Sequence, residues 1–187
     1  MRTDLEMGVP PGWVYWIPGL REGALAAMAA GVKGVATEEA AMAIAALDEM
    51  AVGDASVEVC GLWFPEATKH LTATLLVRAY ESKEPPDRRV AEYLNLSQQP
   101  PPMPGCLISH YAVTNDRVDL GPLIRHVLLY ADEQGKMVWL TRYTVFSETK
   151  PLAVEFDFNL LLMGLSDELH ESAGLLVGSA RHAKEEE

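Results

Sequence analysis

Two arginines in the second half of the sequence could bind an anion. A turn at residues 132–135 predicts a hairpin, and pairing outwards from that turn places Arg125 opposite Arg142. Two guanidinium groups that face each other repel unless a carboxylate or phosphate lies between them. Two interpretations follow. Glu155 and Asp157 on the next predicted strand could neutralise the arginines, or both arginines could bind an anionic ligand.

Two histidines lie on strands that are predicted to be adjacent. His110 and His126 could therefore meet, and with Arg125 and Arg142 they form a candidate ligand-binding site between the sheet and its helices. A metal-binding or general-base role would require an acidic or cysteine neighbour on the same face. Without such a neighbour, a histidine on a strand is a packing or surface residue.

Motifs that carry catalytic chemistry are absent from the sequence. It contains no P-loop, dinucleotide-binding glycine pattern, nucleophile elbow or paired zinc-ligand spacing. His170 and Glu171 begin an HExxH-like fragment, but Gly174 stands where the second histidine would be. We therefore predict no catalytic residues, no cofactor and no metal, and the pattern favours a protein that is not an enzyme.

The four tryptophans could form either core or interface. Core packing is the usual role of a tryptophan, and we predict it for Trp63 and Trp139. Trp13 and Trp16 are three residues apart on a predicted strand, so they point to opposite faces and one of them could be exposed. We predict Trp16 as a candidate protein-interface residue.

The composition is that of an acidic soluble domain. The chain has 187 residues, with 15 Lys and Arg against 27 Asp and Glu, and a formal net charge of -12. This charge repels phosphate groups, which disfavours nucleic acids and anionic membranes as partners. The apolar window at residues 24–47 is interrupted by charges and glycines, and no secretory signal pattern opens the chain. The two widely spaced cysteines indicate reduced thiols and a cytoplasmic location.

Hydrophobic periodicity predicts an α+β fold in one domain, residues 1–187, with a mostly antiparallel sheet of six or seven strands covered by helices. Residues 1–12 and 180–187 are expected to be flexible, and the proline-rich residues 97–105 are an internal connection. The predicted strands are residues 13–17, 57–64, 71–80, 106–114, 120–131, 136–146 and 152–158. The predicted helices are residues 20–30, 87–96, one starting at Thr37 and one starting at Asn159.

Several short segments resemble a set of mostly uncharacterised small actinobacterial proteins with a PsbP/Mog1-type α/β sandwich. The segments are Pro11-Gly12-Trp13, Gly121-Pro122-Leu123-Ile124-Arg125, Tyr143-Thr144-Val145 and the alternating strand at residues 152–158. The chain departs from the pattern by a longer alanine-rich helical insert and by the proline run at residues 100–104. The resemblance implies an antiparallel sheet with helices on both sides and a role in binding or assembly, with no catalytic residues to transfer.

Three functional hypotheses remain from the sequence. The first is a non-enzymatic cytoplasmic protein that binds a protein partner or a second copy of itself, through a patch that an incomplete helix layer leaves uncovered. The second is a binder of, or enzyme for, a small anionic molecule at Arg125, His126, Arg142 and His110. The third is an acidic immunity-type neutraliser of a basic toxin, suggested by the net charge of -12.

Overall fold

The computed structural model describes residues 5–81 and 84–182, and its main elements follow the order that the sequence predicts. The strands are β1 (Leu5–Glu6), β2 (Trp13–Trp16), β3 (Val57–Trp63), β4 (Ala73–Glu81), β5 (Leu107–Val118), β6 (Gly121–Ala131), β7 (Met137–Phe146), β8 (Leu152–Leu160) and β9 (Arg181–His182). The helices are α1 (Glu22–Gly31), α2 (Thr37–Val52), α3 (Pro86–Leu96) and α4 (Ser166–Gly178), the last preceded by a 3-10 turn at Met163–Leu165.

Seven of the strands form one antiparallel sheet in the order β2-β3-β4-β8-β7-β6-β5. Short connections join β3 to β4, β5 to β6, β6 to β7 and β7 to β8, which is why these neighbours run in opposite directions. Helices lie on both sides of the sheet. The predicted single α+β domain with six or seven mostly antiparallel strands is confirmed.

Helices α1, α2 and α3 cover one face of the sheet, which we call the first face. Buried residues recur on α2 at steps of three and four, namely Ala40, Ile44, Leu47 and Ala51. The small alanines let α1 and α2 pack closely on β2, β3 and β4, where Cys60, Leu62 and Leu76 are buried beneath them. At the other end of the same face, Val90, Tyr93 and Leu94 of α3 pack on Ile124, Phe146 and Ala153.

Helix α4 packs on the opposite face, which we call the second face. Its buried stripe of Leu169, Ala173, Leu176 and Val177 lies against the core that contains Phe156 and Phe158 of β8. Strand β8 is therefore covered on both sides, and eight of its nine residues are buried. This explains why its sequence alternates between large apolar residues and the smaller or charged residues that face α3 and the ion pairs described below.

Two predicted element boundaries are wrong. Strand β5 continues to Val118, because Asn115 and Asp116 lie at an exposed sheet edge, where polar side chains are tolerated within a strand. The last helix begins at Ser166 rather than at Asn159, because β8 runs on to Leu160. Leu161 and Leu162, which the helical pattern had placed on the apolar face, are 41% and 43% exposed.

The segments near the two termini pair with each other. Leu5 pairs with His182 and Glu6 with Arg181, and the Arg181 Nε donates a hydrogen bond to Glu6 Oε2 at 3.0 Å. These four positions form a two-stranded sheet, and the flexibility expected for residues 1–12 and 180–187 stays a prediction. The prediction for residues 1–4 and 183–187 concerns positions outside the described residues.

Trp16 is buried, which removes the basis for predicting it as an exposed interface residue. Its side chain is 5% exposed, and its indole Nε1 donates a hydrogen bond to Asp48 Oδ1 at 2.8 Å. The backbone N–H groups of Gly19 and Leu20 donate to the same carboxylate at 2.9 and 3.1 Å. Asp48 therefore joins α2 to the loop after β2, and Trp16 has a structural role.

We expect Asp48→Ala to lower the free energy of unfolding by about 3 kcal/mol, because it leaves three donors without their acceptor in a buried site. Urea unfolding followed by tryptophan fluorescence measures this change. Glu49→Ala, at the neighbouring exposed position on α2, is the matched control and should change stability by less than about 0.5 kcal/mol. Equal effects of the two substitutions would contradict the role assigned to Asp48.

Candidate functional site

The pairing between β6 and β7 differs by one residue from the predicted register. Ala131 lies opposite Met137 rather than Lys136, so His126 lies opposite Arg142 and Arg125 opposite Tyr143. The cause is a five-residue loop in which Asp132 Oδ1 accepts hydrogen bonds from the N–H groups of Gln134 and Lys136 at 2.9 and 2.8 Å. One extra residue in a hairpin loop moves every side chain of the following strand to the other face.

The four predicted ligand-binding residues are therefore divided between the two faces. Arg142 and His126 lie on the first face, beneath α3, and Arg125 lies on the second face with Tyr143. His110 also lies on the second face, because a bulge at Ser109 shifts the pairing so that His110 is opposite Leu129. The interpretation in which Arg125 and Arg142 bind the same anion is therefore wrong, and so is the suggestion that His110 could contact His126.

Arg142 is bound by carboxylates of the neighbouring strand. Its Nε and Nη2 donate to Asp157 Oδ1 and Oδ2 at 2.6 and 2.9 Å, and its Nη1 lies 3.8 Å from Glu155 Oε2. Arg78 of β4 reaches the same carboxylate from the other side, with Nη1 2.6 Å from Asp157 Oδ2. Of the two interpretations that the sequence left open for Arg142, the structure contains the one in which Glu155 and Asp157 neutralise it.

Both guanidinium groups are matched by carboxylates, since Arg78 Nε also donates to Asp54 Oδ2 at 3.2 Å and the cluster then holds two arginines and three carboxylates. Asp157 and Glu155 are only 5% and 8% exposed, so both carboxylates need these partners. Burial opposes the charge of Arg142, but hydrogen bonds to Asp157 and the charges of Asp157 and Glu155 raise the pKa of Arg142 well above its usual range. Arg142 therefore stays charged and is neutralised from within the protein.

A pocket of about 430 Å³ opens on the first face beside this cluster. It lies between α3, the proline-rich connection and strands β5, β6 and β7. The residues that line it are Tyr93, Leu96, Ser97, Gln99, Pro101, Met103, Tyr111, His126, Leu128, Leu140 and Arg142. The Tyr111 hydroxyl donates a hydrogen bond to the Ser97 carbonyl oxygen at 2.9 Å and so attaches the start of the connection to β5.

His126 lies in the pocket between two tyrosine rings. Its ring centroid is 5.4 Å from that of Tyr93 and 6.1 Å from that of Tyr111, with interplanar angles of 26° and 21°. Burial and the charge of Arg142 lower the pKa of His126 to about 4, although Asp157 acts in the opposite direction. The imidazole is therefore neutral at pH 7. Tyr93 is also uncharged at that pH, because burial and the nearby Glu155 raise its pKa to about 12.

Arg125 is held on the second face by the last helix. Its Nη1 is 2.6 Å from His170 Nε2, and the His170 ring stacks on Tyr143 with a centroid distance of 6.5 Å. Burial and the charge of Arg125 lower the pKa of His170, so the imidazole accepts the hydrogen bond from the guanidinium in its neutral form. This contact marks the limit of the sheet surface that α4 covers.

Beyond Arg125, the second face of β5, β6 and β7 is apolar and only partly covered. We call this surface the open face and define it by Leu107, Val127, Leu129, Met137 and Trp139. Leu107 and Met137 are 73% and 42% exposed, and the other three are partly exposed. Trp139, which we predicted to be a core residue, is only partly buried and packs against the edge of the core. Trp63 is buried, as predicted.

One serine–histidine pair was missed by the sequence analysis, since its members are far apart in the chain. Ser147 Oγ is 2.9 Å from His182 Nε2, but Ser147 is completely buried and cannot reach a substrate.

Both cysteines are free thiols, and burial raises the pKa of Cys60 to about 12, which keeps it protonated. Among residues 5–81 and 84–182, no group of three His, Cys, Asp or Glu side chains could hold a metal ion.

The pocket itself also escaped prediction. Tyr93 and Tyr111 come from α3 and β5, and neither segment has a pattern that marks a binding residue. Only the excess of prolines in residues 97–105 pointed to this region, and it was interpreted as a connection between two halves of the chain. Within the described residues, no helix combines the length and apolar composition that crossing a bilayer requires.

Comparison with known proteins shows a fold but no family. No protein-family model matches the chain, and no curated protein matches it. The crystal structure of LpqN, a Mycobacterium tuberculosis protein involved in cell envelope biogenesis, matches with a TM-score of 0.52 and 9% identity, over 94% of this chain and 81% of LpqN. At this identity the likeness is one of fold alone.

The two proteins named in the sequence resemblance are also among the matches. The Ran-binding protein Mog1p of Saccharomyces cerevisiae matches with a TM-score of 0.47 and 9% identity, over 96% of this chain and 90% of Mog1p. The cyanobacterial PsbP of Synechocystis matches with a TM-score of 0.40 and 11% identity, over 97% of this chain and 94% of PsbP. The predicted sandwich architecture agrees with the fold, while the resemblance to actinobacterial proteins stays a prediction.

We expect the protein to lose stability as the pH falls from 6.5 towards 4, in part because of His126. Its folded-state pKa of about 4 lies below the value of ~6.5 expected in the unfolded chain, so the unfolded state binds the additional proton in this window. As the pH is lowered through this window, the free energy of unfolding should decrease less steeply in His126→Gln than in the wild type. Urea unfolding at several pH values measures the slope.

His110→Gln, at an exposed position on the other face, is the control for this experiment and should keep the wild-type slope. A His126→Gln slope equal to that of the wild type would show that His126 is not held in a neutral, desolvated state.

Proposed function

We propose that the protein is a non-enzymatic binding or assembly protein that binds a protein partner on the open face. The observation that carries this proposal is the extent of uncovered apolar surface on the second face, with Leu107 and Met137 73% and 42% exposed beside the partly exposed Trp139. Exposed apolar surface of this kind, bordered by polar residues, is typical of interaction sites. Aromatic and methionine side chains such as Trp139 and Met137 are enriched at such sites.

The partner we propose is basic. The chain has a net charge of -12, so a second copy would be repelled at long range, whereas a positively charged protein would be attracted. The turn beside the open face carries Asp132 and Glu133 against Lys136. Arg125 and His110 border the open face from the sheet and would lie at the rim of the interface. A basic toxin is one partner that fits this description.

The other parts of the proposal follow from charge and cysteine chemistry. The same negative charge supports a protein partner over a nucleic acid or an anionic membrane, because both of these present phosphate groups. Two free thiols, one of them completely buried, support a cytoplasmic location. A non-enzymatic role is supported by the complete burial of Ser147, which cannot reach a substrate, and by the ion pair that engages Arg142 with Asp157.

We expect Val127→Glu to weaken partner binding roughly tenfold or more, because it buries an unpaired carboxylate at the centre of the open face. The experiment captures partners of the tagged chain from its native host, identifies them by mass spectrometry, and measures the affinity of the purified partner at several salt concentrations. Val52→Glu, an equivalent substitution at a 60% exposed position on α2, should leave the affinity unchanged.

The proposal also predicts that the chain alone sediments as a monomer and that the partner's affinity falls as the salt concentration rises. If the chain instead sediments as a dimer and Val127→Glu dissociates that dimer, the open face binds a second copy of the chain and the proposal of a basic partner is wrong. A captured partner that binds Val127→Glu and the wild type equally would contradict the open face as the binding site.

A further inference from the structure

We infer that the pocket on the first face is a second binding site, separate from the open face, and that it takes an uncharged planar aromatic small molecule. The pocket and the open face lie on opposite sides of β5, β6 and β7, because Tyr111, His126 and Leu140 point to the first face whereas Val127 and Leu129 point to the second. The two sites can therefore be altered independently.

The size and lining of the pocket match those of a small-molecule site. Its volume of about 430 Å³ lies within the range of roughly 300–1,000 Å³ found for ligand pockets. Leu128 and Leu140 of the sheet and Pro101 and Met103 of the connection contribute apolar side chains to its lining. Such a lining favours the transfer of an apolar group from water, in proportion to the area that is covered.

The aromatic side chains of the pocket favour a planar ligand. Tyr93 and Tyr111 each stack on His126, with interplanar angles of 26° and 21°, so the three rings form an ordered aromatic part of the pocket lining. The Tyr111 hydroxyl donates to the Ser97 carbonyl oxygen, and the Tyr93 hydroxyl donates to Glu155 and shares a hydrogen bond with the Thr144 hydroxyl, so both tyrosine rings are held in place. Stacking on aromatic rings adds to the gain from buried area alone, and a flexible chain does not obtain it.

The charges around the pocket select an uncharged ligand. Arg142 is the cation that lines the pocket, and its Nε and Nη2 already donate to Asp157. His126 and Tyr93 are neutral at pH 7 for the reasons given above. An anion or cation that entered would lose its hydration without gaining an unpaired opposite charge. This differs from the second hypothesis drawn from the sequence, in which the ligand at Arg142 is anionic.

A matched pair of fluorescent probes tests the inference. N-phenyl-1-naphthylamine is uncharged, and 8-anilino-1-naphthalenesulfonate has the same ring system with an added sulfonate. We expect the uncharged probe to bind with at least roughly tenfold higher affinity than the sulfonate, which corresponds to about 1.4 kcal/mol. Fluorescence titration of the folded wild-type protein gives both constants, and equal affinities or tighter binding of the sulfonate would overturn the inference.

Variants locate the bound probe. Tyr111→Leu removes one of the aligned rings and should weaken the uncharged probe several-fold, whereas Tyr111→Phe keeps the ring and should retain most of the affinity. Val127→Glu, on the open face, should leave probe binding unchanged. If Tyr111→Leu fails to fold, Met103→Glu at the partly exposed rim provides the same test. Loss of probe binding in Val127→Glu with full binding in the Tyr111 and Met103 variants would place the probe on the open face and overturn the inference.

A further variant tests the electrostatic part of the argument. Glu155→Gln removes the second carboxylate beside Arg142 and makes the surroundings of that guanidinium less negative, while the amide can still accept the hydrogen bond from Tyr93. Affinity for the sulfonate should rise several-fold and affinity for the uncharged probe should stay the same. If neither affinity changes, internal neutralisation of Arg142 does not set the ligand preference.

Discussion

The structure depends on the burial of two carboxylates in a strand that is covered on both sides. Glu155 and Asp157 belong to β8, and they are 8% and 5% exposed. Arg142 of β7 and Arg78 of β4 bind Asp157 from either side, so the ion pairs tie three adjacent strands together. A one-residue slip of β8 would turn both carboxylates into the core that holds Phe156, at a cost of several kcal/mol for each unpaired charge. The same contacts therefore fix the register.

This internal pairing determines what the rest of the surface can bind. The ion pairs occupy Arg78, Arg142 and Asp157, so the sheet offers mainly apolar and aromatic groups for binding on both faces. On the first face these groups line the pocket next to α3, and on the second face they form the open face beyond the contact between Arg125 and His170. Binding at either place has to come mainly from the burial of apolar surface, and the net charge of -12 acts at longer range on the approach of a partner.

Element order was predictable from the sequence, because periodicity and turn residues act locally. The alternation in β8 and the helical spacing of apolar residues after Thr37 predicted both elements, but the side of α2 expected to be apolar was wrong, because Met42 and Met50 are exposed and Ile44 and Leu47 are buried. The site was not predictable to the same degree. The hydrogen bonds of Asp132 stabilise a hairpin loop that is one residue longer than predicted, and a bulge at Ser109 shifts the pairing of β5 with β6. As a result, Arg125 lies on the opposite face from Arg142, and His110 on the opposite face from His126. These displacements depend on hydrogen bonds and strand pairing, which hydrophobic patterns do not record.

Arg142 is neutralised within the protein and stabilises the fold rather than binding an anionic ligand. Nuclear magnetic resonance of the arginine Nε–H groups during titration with inorganic phosphate tests this role. We expect the Arg142 Nε–H to exchange slowly with solvent, because Asp157 accepts its hydrogen bond, and its signal to stay in place as phosphate is added. A rapidly exchanging Arg142 signal that shifts to saturation with phosphate would contradict it.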